Sequence, residues 1–435
     1  MSTTQVAERH ASLAAGFEEL KGRPAFSAGG ASEGRIAAFE RFSRQGFPTT
    51  RDEEWRFTNV APIAELRLSP APEAKADSTL VAGLLPLGQD AVTFVLVNGR
   101  LSGPLPRLPR GVAVRTIANA EAGDLLPARP EGGTAFTDLN TAFFEDLLVI
   151  DIAPKAVIER PIQILHVTVP GADPLLVAPR IVVRAGEASQ AMLVETYADA
   201  AGDGVALVAP AVDVELAPAA FVDHVKLQRQ NTRSFHIATM FVRTGRSSTF
   251  TSHAVTVGGR IARNDIVAVL DGEGTEVTLN GLYVGAGDML VDTHTTINHV
   301  QPHCPSHEVY KGILTGRSRA VFNGKIFVHP EAQKTDAKQT NKALLLSDEA
   351  QINTKPQLEI FADDVKCTHG AAIGQLDTDA LFYLKARGIP ERHARNMLIH
   401  AFASDVLNGI RLDPVRRTTM ALVEGMLELE ALEQE

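Results

Sequence analysis

The 435-residue sequence predicts a mainly β chain with helical regions at both ends, and three observations carry that prediction. From about residue 92, short β-branched runs alternate with Gly, Pro, Asp and Asn. Apolar residues at helical spacing occupy the first sixty residues and everything after Gly374. NGLYV begins at Asn280 and NGKIF at Asn323, forty-three residues later, and Asn298 and Asn341 keep the same separation. Many short strands with regular turn signals fit a sandwich, a barrel or a solenoid. The repeat fits two turns of a β-helix at ~20 residues a turn, with Asn side chains stacked at the turns. A sandwich stays open as the alternative on composition.

In chain order, Val6, Leu13, Phe17 and Leu20 lie at helical spacing. A second helix is predicted over 32–44, with Ser32 as its cap and Gly46 beyond its end. Residues 48–59, PTTRDEEWRFTN, hold the only tryptophan, Trp55, read as a packing residue. Strands follow over 93–97, 112–115, 162–169, 181–184, 192–195 and 212–216. One helix near 138–148 interrupts them, with Leu139, Phe143, Phe144 and Leu147 on one face. Further strands cover 221–227, 237–242, 249–257, 266–270 and 277–283. Asp377 or Asp379 caps the helix ALFYLKAR, which Gly388 stops. Pro390 takes a first helical position, and Pro414 opens a last helix. Its acidic end, Glu428 to Glu435, opposes the helix dipole and is expected to fray. The organisation predicted is a helical region over 1–90, a β core over 91–375 and a second helical region over 376–435.

A net charge of −10 argues against a nucleic-acid binder, which needs a basic surface. The N-terminus lacks the apolar core of a secretory signal, and no run reaches the ~18 apolar residues of a membrane helix. The expected location is the cytoplasm. Two cysteines, Cys304 and Cys367, cannot build a disulfide framework or a self-contained four-thiolate site. Any metal site therefore needs other ligands or another chain.

Three motifs bear on chemistry. GGASEGRI spaces Gly29 and Gly34 like a phosphate-binding loop, but Arg35 replaces its lysine and Ile36 its hydroxyl residue. No nucleotide is expected. A histidine-rich stretch, His294 to His307, offers His303, Cys304 and His307 as a weak metal set, with ordinary surface histidines as the alternative. DDVKCTHGAAIG places Cys367 and His369 two apart, so in a strand both project to one face. Lys366 beside the thiol is expected to favour thiolate. The alternative is an inert cysteine near a structural histidine.

At these residues a resemblance emerges. YKGIL, AVFNGKIFV, the run AQKTDAKQTNKALLLSDEAQINTKPQLEIFADDVKCTHGAAIGQLD, and LFYLKARGI resemble the SufB/SufD family of the SufBCD iron–sulfur cluster assembly scaffold. TRDEEWRFTN also looks like that family's N-terminal signature. The resemblance implies a right-handed parallel β-helix between helical ends. It implies a non-enzymatic scaffold subunit that pairs with a homologous chain through the β-helices and binds the SufC ATPase through its C-terminal helices. SufB-type chains carry an EHEAT-type sequence where this chain has CTHGA, and an upstream cysteine absent from 353–364 here, which places the chain on the SufD side. His369 matches a histidine that contributes to a transient cluster across the SufB interface, and Cys367 its neighbouring cysteine. The isolated chain is then expected to hold no stable cofactor. For SufC docking the candidates are Leu381, Phe382, Tyr383, Arg387, Met397 and Phe402. A homodimer of the chain alone, and a purely structural partner that supplies no cluster ligand, are the other readings.

Overall fold

The computed structural model describes residues 11–119, 134–202 and 204–433. Among them the strands form two sheets of twelve and ten strands. From Ala211–Leu216 onward the chain alternates between the two sheets strand by strand, so each later coil contributes one strand to each, while the earlier coils add short strands such as Leu175–Val177 and Ala206–Val208 to the larger sheet. Successive coils pair in parallel, Ile261 with Leu290, Leu290 with Arg319, and Arg319 with Gln351. The architecture is a two-sheet parallel β-solenoid.

The period differs from that expected. A coil takes about thirty residues, not twenty, so forty-three residues span roughly one and a half coils. Asn280 therefore lies in one sheet, beside His253 and Val309, and Asn323 in the other, beside His294 and Lys355. The asparagines do not stack on one another. Asn341 accepts from the Tyr283 hydroxyl at 3.0 Å, and Asn323 donates to Glu54 at 3.1 Å. The actual period shows in the backbone. Lys155, Ala188, Ala219, Ser247, Gly274, His303 and Lys334 all have φ between 54° and 67°, one at the same corner of each successive coil. Their amides form a ladder: Ala219 donates to Arg246 O, Ser247 to Glu273 O, Gly274 to Pro302 O and His303 to Gln333 O. Geometry repeats at that corner while side-chain identity does not.

Parallel sheets are stable when both faces are covered. Between the sheets, Phe94, Ile164, Leu193 and Val222 of one sheet meet the row Ile150, Val183, Val214 and Val242 of the other. Each such side chain contributes about 1.5–3 kcal/mol by leaving water. The outer face of the larger sheet, at Leu207, Phe235 and Ile261, is covered by the N-terminal region through Phe17, Phe42 and Trp55 and by the interrupting helix through Phe136. The outer face of the smaller sheet, at Val225, Val255 and Ile313, is covered by the C-terminal helices through Ile399, Ala403, Leu407 and Val423.

Helix ends follow local chemistry. The helix Ser32–Gln45 starts at Ser32 itself without a side-chain cap, and Gly46 follows it at φ 68°. The interrupting helix is Ala135–Phe143, earlier than expected, because Thr134 caps it and Leu148–Ile152 is already a strand. Asp377 caps Thr378–Ala386 by accepting from the amides of Asp379 and Ala380, and Gly388 follows at φ 83°. Pro390 precedes Glu391–Leu407 as its cap residue. Val6 and the last two residues of the acidic tail lie outside the described residues. No helix among the described residues is long and apolar enough to cross a membrane.

The two ends of the solenoid differ. At the first coil each sheet finishes on an antiparallel strand, Arg100–Leu101 in one and Val112–Arg115 in the other. At the last coil Gln351–Ile360 and Lys366–Gly374 are hydrogen-bonded on one side only. That end is open.

Candidate functional site

The open end carries Cys367 and His369. Both lie on the terminal strand Lys366–Gly374, where Cys367 pairs with Ala337 and His369 with Gln339. Ala337 and Gln339 are buried between the sheets, so Cys367 and His369 continue that inward row into the last coil, above which no further strand pairs among the described residues. The mouth is shared with Thr354 and Leu358 of the other terminal strand, which continue the inward row of Phe322 and Ile326. Cys367 is half-buried against Ile326, Val328 and Ala337, whereas His369 is exposed. Large apolar side chains also stand exposed here: Phe361 is 58% exposed and Ile373 49%. Beneath the mouth the inward residues turn polar. Gln339 donates to Glu308 at 2.6 Å, and Asn341 donates to Thr354 at 3.2 Å. Burial pushes the Glu308 carboxyl up to about 7, against the bonds from Thr295 and Gln339.

Lys366 does not favour the Cys367 thiolate. Neighbours in a strand project to opposite faces. Burial pushes the thiol above its ordinary range, Asp336 adds to that, and only the Ala337 backbone opposes it.

The structure separates the other thiol set. His303 is the exposed left-handed corner residue of its coil. Cys304 turns into the core, fully buried, and donates to the carbonyls of Gly272 and Pro302, both at 3.3 Å. His307 lies on the outward row of the next strand, between inward Ser306 and Glu308. Among the described residues, no group of three His, Cys, Asp or Glu is arranged to hold a metal ion.

The C-terminal candidates divide by burial. Phe382 is 74% exposed, Tyr383 57% and Met397 50%, and Arg387 is exposed beside the Tyr383 ring. Leu381 is half-buried. Phe402 packs against the solenoid, with Lys311 Nζ 4.4 Å from its ring. Lys311 also bonds the Phe402 carbonyl at 2.9 Å and Asp405 at 2.6 Å, which fixes this helix to the sheet. The nucleotide-like loop is a helix start whose Arg35 is buried under Phe144, 3.8 Å from its ring, and bonded to the Phe144 carbonyl.

One cluster escaped sequence reasoning. Two outward rows of the larger sheet run in register, Arg263–Asp292–Val321–Asn353 and Asp265–His294–Asn323–Lys355. Residues 48–59 lie across them. Arg263 stacks 3.7 Å from the centre of the Trp55 ring, donates to Glu54 O at 2.7 Å, and pairs with Asp265 at 2.7 Å and Asp292 at 2.8 Å. Thr58 bonds Asp292, and His294 bridges Asp292 at 3.1 Å and Glu54 at 3.2 Å. Burial opposes the charge on His294, but Asp292 and Glu54 lift its ring to about 9. Burial likewise opposes the charge on Asp292, and His294 and Arg263 hold its carboxyl down to about 2. The signal was a polar pair recurring about thirty residues apart, visible only once the coil length is known.

Comparison with known proteins agrees with this geometry. The family described as SUF system FeS cluster assembly, SufBD core domain, matches residues 167–402. An iron–sulfur cluster assembly SufBD family protein of Synechocystis is 32% identical over 381 residues, covering 84% of each chain. The iron–sulfur cluster assembly protein SufD of Escherichia coli is 29% identical over 387 residues, 88% of this chain and 90% of that protein. With the family match spanning the solenoid from its early coils to the docked C-terminal helices, this chain belongs to the SufBD family of iron–sulfur cluster assembly proteins.

Proposed function

We propose that this chain is a SufD-type scaffold subunit, non-catalytic and cytoplasmic, whose open solenoid end pairs with a homologous SufB chain and whose C-terminal helices seat a SufC ATPase. One observation carries the reading: a thiol and an imidazole project together from the last, one-sided strand into an uncovered mouth. Thiolate and imidazole both ligate iron–sulfur clusters. Two ligands are too few to enclose a cluster, so a partner must supply the rest. An incomplete half-site holds its cargo only while the halves are together, which suits transfer. Exposed Phe382, Tyr383 and Met397 support docking of the ATPase, to which nucleotide binding is assigned. Movement of these helices would reach the mouth through the sheet they pack on.

The test is His369→Ala, copurified with its partner chains and loaded with iron and sulfide anaerobically. The complex should persist while the visible cluster absorption falls about tenfold. Unchanged absorption would sink the ligand role. The purely structural reading has one observation in its favour, the half-buried Cys367 whose thiol is pushed up by burial. The Cys367→Ala/His369→Ala double variant separates them, since full cluster yield in an intact complex would leave only the structural role.

A further inference from the structure

We propose that the cleft between residues 50–58 and the outer face of the last coils is a binding site for a small phosphate-bearing anion. The cleft encloses about 540 Å³, within the ~300–1,000 Å³ of small-molecule sites. One wall is the tryptophan-bearing segment, and the floor is the pair of outward rows that end in Asn353 and Lys355.

Its charges do not cancel. Glu53 is taken by Lys355 at 2.8 Å. Glu54 is taken by His294 at 3.2 Å and by the Asn323 amide at 3.1 Å. Arg51 and Arg56 also line the cleft, are exposed, and have no carboxylate partner among the described residues. The cleft therefore keeps two unneutralised guanidinium groups in a chain of net charge −10. A positive recess on an acidic protein concentrates anions locally. The guanidinium fork matches paired phosphate oxygens, and the Thr50 hydroxyl and Asn353 amide add neutral donors at the same cleft. Beneath it, the stack of Trp55 on Arg263 and the Asp292–His294 pair hold the wall in place, so little ordering is required on binding. The site stands apart from the cluster-assembly role and does not depend on it.

The probe is inorganic pyrophosphate, titrated into the full chain at constant ionic strength. Trp55, the only tryptophan, lies between Glu54 and Arg56, so its emission reports on the wall. Calorimetry gives a second readout. Saturable binding with a Kd of about 0.1–1 mM is expected. Arg51→Ala/Arg56→Ala should weaken it about tenfold or more while leaving the thermal midpoint unchanged, because both side chains are exposed. The proposal is overturned if neither readout saturates by about 10 mM, or if the double variant binds as well as the parent. It is equally overturned if the parent ignores pyrophosphate while the double variant loses association with a homologous chain. The cleft would then be a protein contact.

Discussion

Tyr283 faces Gly312 across one pair of strands, and Tyr310 faces Gly281 across the same pair. The order Gly-x-Tyr on one strand is met by Tyr-x-Gly on the next, so each ring fills the space its neighbour leaves empty. A Cβ at Gly281 would lie 2.2 Å from Tyr310 Cε1, and one at Gly312 would lie 2.1 Å from Tyr283 Cε2. Both rings are buried and cannot swing into water. Gly281→Ala should therefore cost about 2–3 kcal/mol in denaturant unfolding, through overpacking. Gly370→Ala, with nothing within 4 Å of its Cβ, should change little in the same experiment. His294 supplies a second prediction at this scale. Its folded pKa of about 9 stands above its ordinary 6.5. The stabilisation is complete below 6.5 and is lost as pH rises through 9. The stability gap between the parent and His294→Gln should shrink by roughly 2 kcal/mol between pH 6 and 10. A gap independent of pH would show that His294 is not held charged by Asp292 and Glu54. Comparison with the variant matters, because buried Lys226, depressed to about 7 by desolvation, gains stability over the same range.

At the scale of elements, a strand edge is the unit that decides association. The terminal strand Gln351–Ile360 carries Lys355, Pro356 and Glu359, residues that discourage further pairing. The terminal strand Lys366–Gly374 has no proline, and after Lys366 no lysine, arginine or carboxylate. It is the less protected edge, and it is the one bearing Cys367 and His369. Ile373→Lys would place a charge where, in the pairing proposed above, a partner's surface would close. The variant should fail to copurify with a homologous solenoid chain while keeping the parent's thermal midpoint, since Ile373 is 49% exposed already. Normal copurification would move the interface away from this edge. The C-terminal helices illustrate a second point about elements. Their apolar face is consumed by the sheet through Ile399, Ala403 and Leu407, and the surplus lies on Thr378–Ala386, where no residue is fully buried.

The solenoid has two outer faces and two ends, and among the described residues the last coil is the end that no further strand covers. The N-terminal helices close one outer face and the C-terminal helices the other. Antiparallel strands finish the first coil. The last coil exposes two strand edges together with Phe361 and Ile373. Burial of that end against a second solenoid would continue both sheets and the inward rows at once. It also explains how two cysteines suffice in a chain that handles iron–sulfur clusters. One, Cys304, is consumed by packing, and the other, Cys367, is half-buried at the open end, where the pairing proposed above would complete a site.

Much of this was legible beforehand. Strand texture gave the β class, local chemistry narrowed the cap to Asp377 or Asp379 and put the helix stop at Gly388, and Cys367 and His369 stood out by their spacing of two. The coil length is not legible in the sequence because the repeating feature is a left-handed corner, occupied by Lys, Ala, Ser, Gly or His. Backbone geometry recurs there without a recurring residue. The Arg263–Asp292–His294 cluster stayed hidden for the same reason, since its members and Trp55 meet only across coils. By itself the sequence singled out Cys367 and His369 as candidates and fixed that two cysteines cannot build a self-contained four-thiolate site. Only the tertiary structure decided where they stand, because facing and exposure in a solenoid depend on which coil lies above, and above the last coil there is none among the described residues.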